Sequence, residues 1–240
     1  MGDWRKKVMG EIRSKEVKIL KDKTSFPIEK VIEILESESK NWNVPVVTLI
    51  ALNSKDSFKV LISTIISLRT KDEVTIEASK RLFNVLKSSK DVFNLTQSQI
   101  EELIYPCGFY KRKAFQIKEI CEIIANDYGG IMPKDIEILL KFKGVGRKTA
   151  NLVLAQGFNI PAICVDVHVH RISNRLGFIK TKNPQETEKE LAKKLDKKYW
   201  IDYNSLMVAF GQSICKPVSP YCSKCPVSNY CKKIDVNKSR

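Results

Sequence analysis

Apolar residues recur at helical spacing along much of the chain, so that each segment has one apolar face. Such a stripe runs through residues 28–37, a broader one through 56–68 and a third through 114–124. The same period continues over residues 186–198 and 203–214. The pattern therefore predicts helices at all five places and an all-α fold.

Local signals mark some of the helix ends. Thr96 and Gln99 have the spacing of a capping box, which opens a helix, and the glycine pair at 129–130 is expected to end the helix of the third stripe. Pro133 is expected to start the next helix, and residues 148–155 continue as a helix. Residues 162–169 are different: they are β-branched and partly alternating, so propensity alone predicts a strand there.

Composition narrows the class of protein. Lysine and arginine total 42 against 27 acidic residues, a formal charge of +15, while hydrophobic residues make up 43%. A core is therefore expected, and the basic excess favours a polyanionic partner such as nucleic acid over a merely basic protein. No apolar run is long enough to span a membrane, and residues 1–25 lack the apolar core of a signal peptide. We expect an intracellular protein whose cysteines are thiols or metal ligands rather than disulfides.

Four of the seven cysteines lie close together near the C-terminus. They have the pattern Cys-x6-Cys-x2-Cys-x5-Cys, and nearby prolines favour an irregular loop. Four thiolates in so short a segment can hold one metal centre, and spacing alone does not separate zinc from an iron–sulfur cluster. The candidate ligands are Cys215, Cys222, Cys225 and Cys231. The remaining cysteines, Cys107, Cys121 and Cys164, lie in apolar surroundings and are expected in the core.

A glycine turn joins two predicted helices at residues 143–147, which read Lys-Gly-Val-Gly-Arg. The turn leads into a helix N-terminus, whose free N–H groups and dipole favour an anion such as a DNA phosphate. An ordinary helix connector is the competing interpretation. Lys148 follows in the first turn of the second helix, where an amine could act as a nucleophile and form a Schiff base; a solvated surface lysine is the alternative.

The order of these motifs resembles the endonuclease III family of the helix–hairpin–helix DNA glycosylases. The resemblance rests on residues 144–150, on Val165-Asp166-Val167-His168 with Arg171, and on the four-cysteine loop. It also includes Ile66-Ser67 to Asp72 and Cys107-Gly108-Phe109-Tyr110 to Lys113-Ala114, and covers roughly residues 50–231.

The resemblance implies a fold and a cofactor. The family is all-α with two lobes and a DNA groove between them: residues 50–160 would form a six-helix lobe, and 1–49 with 161–240 the cluster lobe, with 1–25 as an extension. It implies a [4Fe–4S] cluster on the four cysteines. It also places Asp166 at a helix start after extended backbone, against the strand that propensity predicts.

The resemblance further implies roles for single residues. Lys148 matches the Schiff-base lysine and Asp166 the catalytic carboxylate of a bifunctional DNA glycosylase and abasic-site lyase. Such an enzyme removes oxidised pyrimidines from double-stranded DNA and cuts 3′ to abasic sites by β-elimination, acting as a monomer. Residues 143–147 would contact DNA.

This chain departs from the familiar bacterial pattern at three positions. Lys143 stands where proline is common, and Arg69 where a glutamine often fills the gap left by the flipped base. Phe109 occupies the position of a wedging apolar residue, with core packing as the alternative. These changes bear on substrate preference.

Two other functions remain to be weighed. A monofunctional mismatch glycosylase is one, although such relatives often have Ser or Tyr where Lys148 stands. A non-catalytic DNA-binding module is the other, and the presence of both Lys148 and Asp166 argues against it.

Overall fold

The computed structural model describes residues 26–240, and within that range the regular elements are helices and helical turns, with no strand. The predicted all-α class is therefore confirmed. We number the α-helices in chain order: α1 Ile28–Glu38, α2 Val46–Ser54, α3 Ser57–Ser67, α4 Asp72–Val85, α5 Gln97–Ile104, α6 Tyr110–Asp127, α7 Ile136–Leu139, α8 Arg147–Leu152, α9 Val167–Leu176, α10 Pro184–Lys194 and α11 Trp200–Ser213.

The apolar stripes correspond to helices α1, α3, α6, α10 and α11. The capping box at the start of α5 is present: the Thr96 hydroxyl accepts from the N–H of Gln99, and the Gln99 side chain accepts from the N–H of Thr96. The predicted start at Pro133 is wrong. Helix α7 begins at Ile136 because the Asp135 side chain caps it, accepting the N–H groups of Glu137 and Ile138.

Residues 162–166 have no regular secondary structure, and α9 begins at Val167. The strand that propensity favours is wrong, and the extended entry into a helix that the resemblance implies is confirmed. Two buried amides take the place of a neighbouring strand: Asn151 Nδ2 donates to the carbonyl of Ile163 at 2.9 Å, and Asn204 Nδ2 to that of Cys164 at 3.2 Å. The apolar side chains of this segment are buried without a sheet because these amides bind its carbonyl groups.

The buried apolar residues form two clusters. The first extends from Val46 to Cys164 and includes the buried faces of α3 to α6. The second combines α1 with residues from Ile163 to Val227. We propose that the two lobes of the sequence analysis divide along these clusters, with the first lobe beginning at Val46.

Within residues 26–240, no helix is both long and apolar enough to cross a membrane. The extension that the sequence analysis assigns to residues 1–25 lies outside the described residues.

Candidate active site

The glycine turn between α7 and α8 places backbone and basic side chains at the surface. Gly144 has φ +78°, a conformation that favours glycine. Gly146 caps α8 with extended backbone, and a Cβ there would meet nothing within 4 Å. Val145 is only 4% exposed and its N–H donates to Phe142 O at 3.0 Å, so its side chain holds the turn from within. The turn therefore exposes both glycines above an open helix N-terminus.

The basic side chains of this turn already have acidic partners. Arg147 makes a two-pronged ion pair with Glu188 of α10, at 2.5 Å from Nη2 and 3.2 Å from Nε. Hydrogen bonding to Glu188 raises the pKa of Arg147. Lys143 Nζ lies 3.5 Å from Glu119 and 4.6 Å from the centre of the Phe115 ring. Both cationic side chains are more than half exposed, whereas their carboxylate partners are partly buried.

Lys148 and Asp166 are joined through the segment between them. Lys148 is exposed in the first turn of α8, where its carbonyl accepts the Cys164 thiol at 3.4 Å. Asp166 follows Cys164 by two residues and caps α9, accepting the N–H groups of His168 and Val169 at 2.9 Å each. A lysine that begins one helix and an aspartate that begins another are thus held on neighbouring backbone.

His168 lies among the charges of this site. Burial lowers the pKa of its imidazole, the carboxylate of Asp166 raises it, and Arg171 and Lys148 lower it further. Its Nδ1 lies 3.2 Å from Nη2 of Arg171. A neutral imidazole between a carboxylate and cationic groups follows from this environment. Lys148 and Asp166 are both among the charges that affect the pKa of this imidazole, and the hydrogen bond from Cys164 to Lys148 links the two helix starts.

The four cysteines of the C-terminal loop line one cavity. Apolar side chains of α9 and α11 form its floor, and residues after the last cysteine also reach it; the thiols are those of Cys215, Cys222, Cys225 and Cys231. Burial raises the pKa of Cys225 to about 11. Within residues 26–240, no three Cys, His, Asp or Glu side chains are grouped as ligands of a single metal ion. The four thiols thus share one cavity at the end of α9 and α11.

Two arginines of α9 bind the backbone of this loop. Arg171 Nη2 donates to Cys215 O at 2.9 Å. The buried Arg175 donates to Lys216 O at 2.8 Å and to Pro217 O at 3.1 Å, and its Nη1 lies 3.5 Å from the Cys215 sulfur. The loop is thus attached to α9, the same helix that Asp166 caps.

Arg69 and Phe109 lie side by side at the surface. The Arg69 guanidinium is 5.5 Å from the centre of the Phe109 ring. Both residues have left-handed backbone, with φ 53° and 58°, which is uncommon for residues other than glycine. Phe109 is 62% exposed, so the core-packing alternative for it is wrong.

Sequence reasoning did not assign a role to Lys113, although it falls in the stretch that carried the resemblance. This lysine is buried and donates three hydrogen bonds to the loop that carries Arg69. One signal in the sequence could have indicated its burial: Lys113 lies four residues before Ile117, on the apolar stripe of α6.

Comparisons with known proteins agree with this geometry. The model of the HhH-GPD superfamily of base excision DNA repair proteins matches residues 62–197. The chain is 49% identical over 177 residues to endonuclease III of Thermotoga maritima, an alignment that covers 74% of this chain and 83% of that protein. It is 43% identical over 183 residues to the chloroplastic endonuclease III homolog 2 of Arabidopsis thaliana, covering 72% of this chain and 47% of that protein.

Solved structures give the same family. A non-covalent endonuclease III–DNA complex superposes with TM-score 0.76 at 32% identity, covering 86% of this chain and 94% of that chain. A trapped endonuclease III–DNA covalent intermediate superposes with TM-score 0.72 at 31% identity, covering 85% and 95%. The chain therefore belongs to the HhH-GPD superfamily of base excision DNA repair proteins, and within it to the endonuclease III family of DNA glycosylases and lyases.

Proposed function

We propose that this enzyme removes oxidised pyrimidines from double-stranded DNA and then cuts the strand, with Lys148 as the nucleophile that displaces the base and as the imine that makes the cut possible. The observation that carries this proposal is the hydrogen bond from the Cys164 thiol to the Lys148 carbonyl, which links the helix start at Lys148 to the segment that ends at the capping residue Asp166. A base must leave the stack before its glycosidic bond becomes accessible. The exposed position of Lys148 supports attack on a sugar presented from outside.

The reaction uses an amine and a carboxylate. The Lys148 amine attacks the anomeric carbon, the base leaves, and the ring-opened sugar becomes an imine of Lys148. Asp166 stabilises the positive charge that develops on the sugar and helps to deprotonate the lysine. The imine acidifies the neighbouring sugar proton, and β-elimination breaks the bond 3′ to the abasic site.

Basic and backbone groups around the site would bind the DNA. Residues 143–147 form a turn whose glycines allow a phosphate to approach the N-terminus of α8. Lys143 and Arg147 would exchange their carboxylate partners for phosphates. Arg69 and Phe109 would fill the space that the flipped base leaves in the duplex, a proposal that their exposure supports.

The four-thiol cavity fits a [4Fe–4S] cluster, which would be held by Cys215, Cys222, Cys225 and Cys231. Four thiolates suit a single zinc ion as well, so the preference for a cluster rests on the likeness to endonuclease III. The donor set contains only thiols, which suits iron–sulfur ligation. When bound, the group would cross-link the loop. Arg171 and Arg175 of α9 donate to carbonyls of the loop, so the ordered loop would also hold α9 in place.

A panel of duplexes tests the function directly, each with one oxidised pyrimidine, uracil mismatch, thymine mismatch, 8-oxoguanine or abasic site. Base release and strand cutting are scored separately. We expect both activities on oxidised pyrimidines and cutting at abasic sites. Base release without cutting would indicate a monofunctional glycosylase, and binding without either would indicate a non-catalytic module.

A further inference from the structure

Lys113 is a charged residue on the buried face of α6. It is 4% exposed, and its Nζ donates to Ile66 O at 2.6 Å, Leu68 O at 2.6 Å and Thr70 Oγ1 at 2.8 Å. The three donors of the ammonium thereby meet three acceptors. A buried ammonium is costly unless it is satisfied in this way. An apolar side chain would suit this stripe equally well, so the lysine needs an explanation beyond packing.

All three acceptors belong to one loop. We call residues 66–70 the Arg69 loop, and residues 107–109 the Phe109 loop. The two loops touch: the N–H of Gly108 donates to Thr70 Oγ1 at 3.2 Å, and a Cβ on Gly108 would lie 2.5 Å from Arg69 O. Lys113 is linked to both loops. Its side chain binds the Arg69 loop, and the first helical hydrogen bond of α6, from its N–H to Phe109 O at 3.0 Å, fixes its position one turn after Phe109 whatever the side chain.

We propose that Lys113 is a positioning residue that holds Arg69 and Phe109 at the spacing needed to enter a DNA duplex where a base has flipped out. This inference rests on the proposed function, in which those two side chains fill the duplex. Lys113 is too buried to touch DNA, so it acts through the two loops.

The backbone of the loops supports this role. Arg69 and Phe109 both have positive φ, at 53° and 58°, and such conformations persist only when the surroundings hold them. An apolar side chain at 113 would leave the carbonyls of Ile66 and Leu68 without their donor. The loop would then be free to relax toward ordinary backbone and carry Arg69 away from Phe109.

The protonation of Lys113 gives a second signature. Burial lowers its pKa to about 8. The titratable group that faces it is the Cys107 thiol of the Phe109 loop, whose own pKa is raised by burial and lowered by Lys113 and by Arg81 of α4. A neutral amine has two N–H donors for three acceptors. The ratio of the cutting rate on duplex DNA to the rate on single-stranded DNA should therefore decline as the pH rises through about 8.

The test compares one abasic strand alone with the same strand in a duplex, by single-turnover cutting. Lys113→Met keeps an unbranched side chain, one heavy atom shorter, and removes its donors. We expect the rate on the duplex to fall by about 10- to 100-fold, since small displacements of positioning groups cost this much, and the rate on the single strand to fall far less. Thr70→Val, which removes one acceptor, should show a smaller loss of the same kind.

Lys118→Met is the matched control. Lys118 lies on the same helix and also donates to a backbone carbonyl, that of Leu95 at 2.8 Å, but outside both loops. It should leave the duplex-to-single-strand ratio unchanged. The decline of this ratio above pH 8 should be present in the wild type and absent in Lys113→Met.

Equal losses on the two substrates in Lys113→Met would overturn the inference, because they indicate a general loss of folded enzyme. If that variant does not fold, an unchanged ratio in Thr70→Val overturns it instead. A wild-type protein that cuts neither substrate would contradict the proposed function itself, an outcome distinct from either of these.

Discussion

At the scale of single residues, Asp166 combines a structural and a chemical role. Its side chain accepts two backbone N–H groups at the start of α9, which fixes the direction of the carboxylate. The same carboxylate raises the pKa of the His168 imidazole. A capping position is therefore compatible with catalysis, because a capped helix start holds the group still.

Replacing Asp166 with Asn separates the two roles. Asparagine caps helices about as well as aspartate, so we expect the unfolding temperature to change little. Base removal should slow by about two to four powers of ten, the usual effect of losing an acid–base or electrostatic group. Cutting at a ready-made abasic site should suffer less, since its sugar needs no help in losing a base.

The control for this variant is Asp56→Asn. Asp56 caps α3 in the same way, accepting the N–H of Phe58 at 2.9 Å. It should change neither activity. If Asp166→Asn removes bases at the wild-type rate, the carboxylate does not take part in that step.

The exposed pair of Arg69 and Phe109 belongs to the same scale. Arg69→Ala and Phe109→Ala should each slow the processing of lesions in duplex DNA more than in single strands, because a gap needs filling only where a base leaves a stack. Comparing the two substrates by single-turnover kinetics measures this. Equal losses on both would contradict a filling role.

Single residues also show where sequence reasoning succeeds and fails. Cys107, Cys121 and Cys164 are buried as their apolar surroundings predict. The register of Lys113 in α6 could have predicted its burial, but its three acceptors could not be predicted, since they lie more than forty residues away along the chain. The exposure of Phe109 likewise depends on a left-handed backbone conformation that no periodicity reports.

At the scale of elements, periodicity predicted the amphipathic helices and missed those whose pattern is less regular. The peptide at 162–166 shows the limit most clearly. Its β-branched residues favour a strand, but no strand lies beside it among residues 26–240. Its carbonyl partners are instead the buried amides of Asn151 and Asn204, which are distant in sequence.

The two glycines of the turn before α8 should respond differently to alanine. Gly144→Ala forces a left-handed conformation at φ +78° and should lower the free energy of unfolding by about 1 kcal/mol. Gly146→Ala meets nothing within 4 Å and should leave stability unchanged. Both should weaken DNA binding, because a methyl group comes between phosphate and backbone. Urea unfolding and equilibrium binding measure the two effects; unchanged DNA affinity in Gly146→Ala would argue against a phosphate at this turn.

At the scale of the whole molecule, the described chain contains two clusters of buried apolar residues and one loop with four thiols. Between residues 215 and 231 the loop contributes Cys215 and Val227 to the buried residues of the second cluster, and a bound cofactor would add further order to it. Arg171 and Arg175 attach the loop to α9, so an ordered loop would also help to hold the helix that Asp166 caps.

Cys222→Ser tests the cofactor. We expect a yellow-brown wild-type protein with broad visible absorbance from iron–thiolate charge transfer. The variant should contain less iron, unfold at lower temperature and bind DNA more weakly, with less effect on the rate once DNA is bound. Cys121→Ala should lose stability through a cavity yet keep its iron. One zinc and no iron in the wild type would contradict a cluster.

The net charge of +15 makes a prediction for the molecule as a whole. With about five phosphate contacts, the logarithm of DNA affinity should fall against the logarithm of salt concentration with a slope of about −4 to −5. Titrations at several salt concentrations measure the slope. A flat response would mean that the basic surface does not contact the backbone of DNA.

Trapping with borohydride tests the central claim most directly, because reduction makes an imine between enzyme and abasic DNA permanent. The wild type should give one adduct, which peptide mapping assigns to Lys148. Lys148→Gln keeps a polar side chain, one heavy atom shorter, but has no nucleophilic amine, so trapping and cutting should disappear while DNA binding persists. Lys143→Gln, which removes a positive charge nearby, should bind more weakly and still trap. If Lys148→Gln still cuts DNA and still forms the adduct, another amine carries out the reaction.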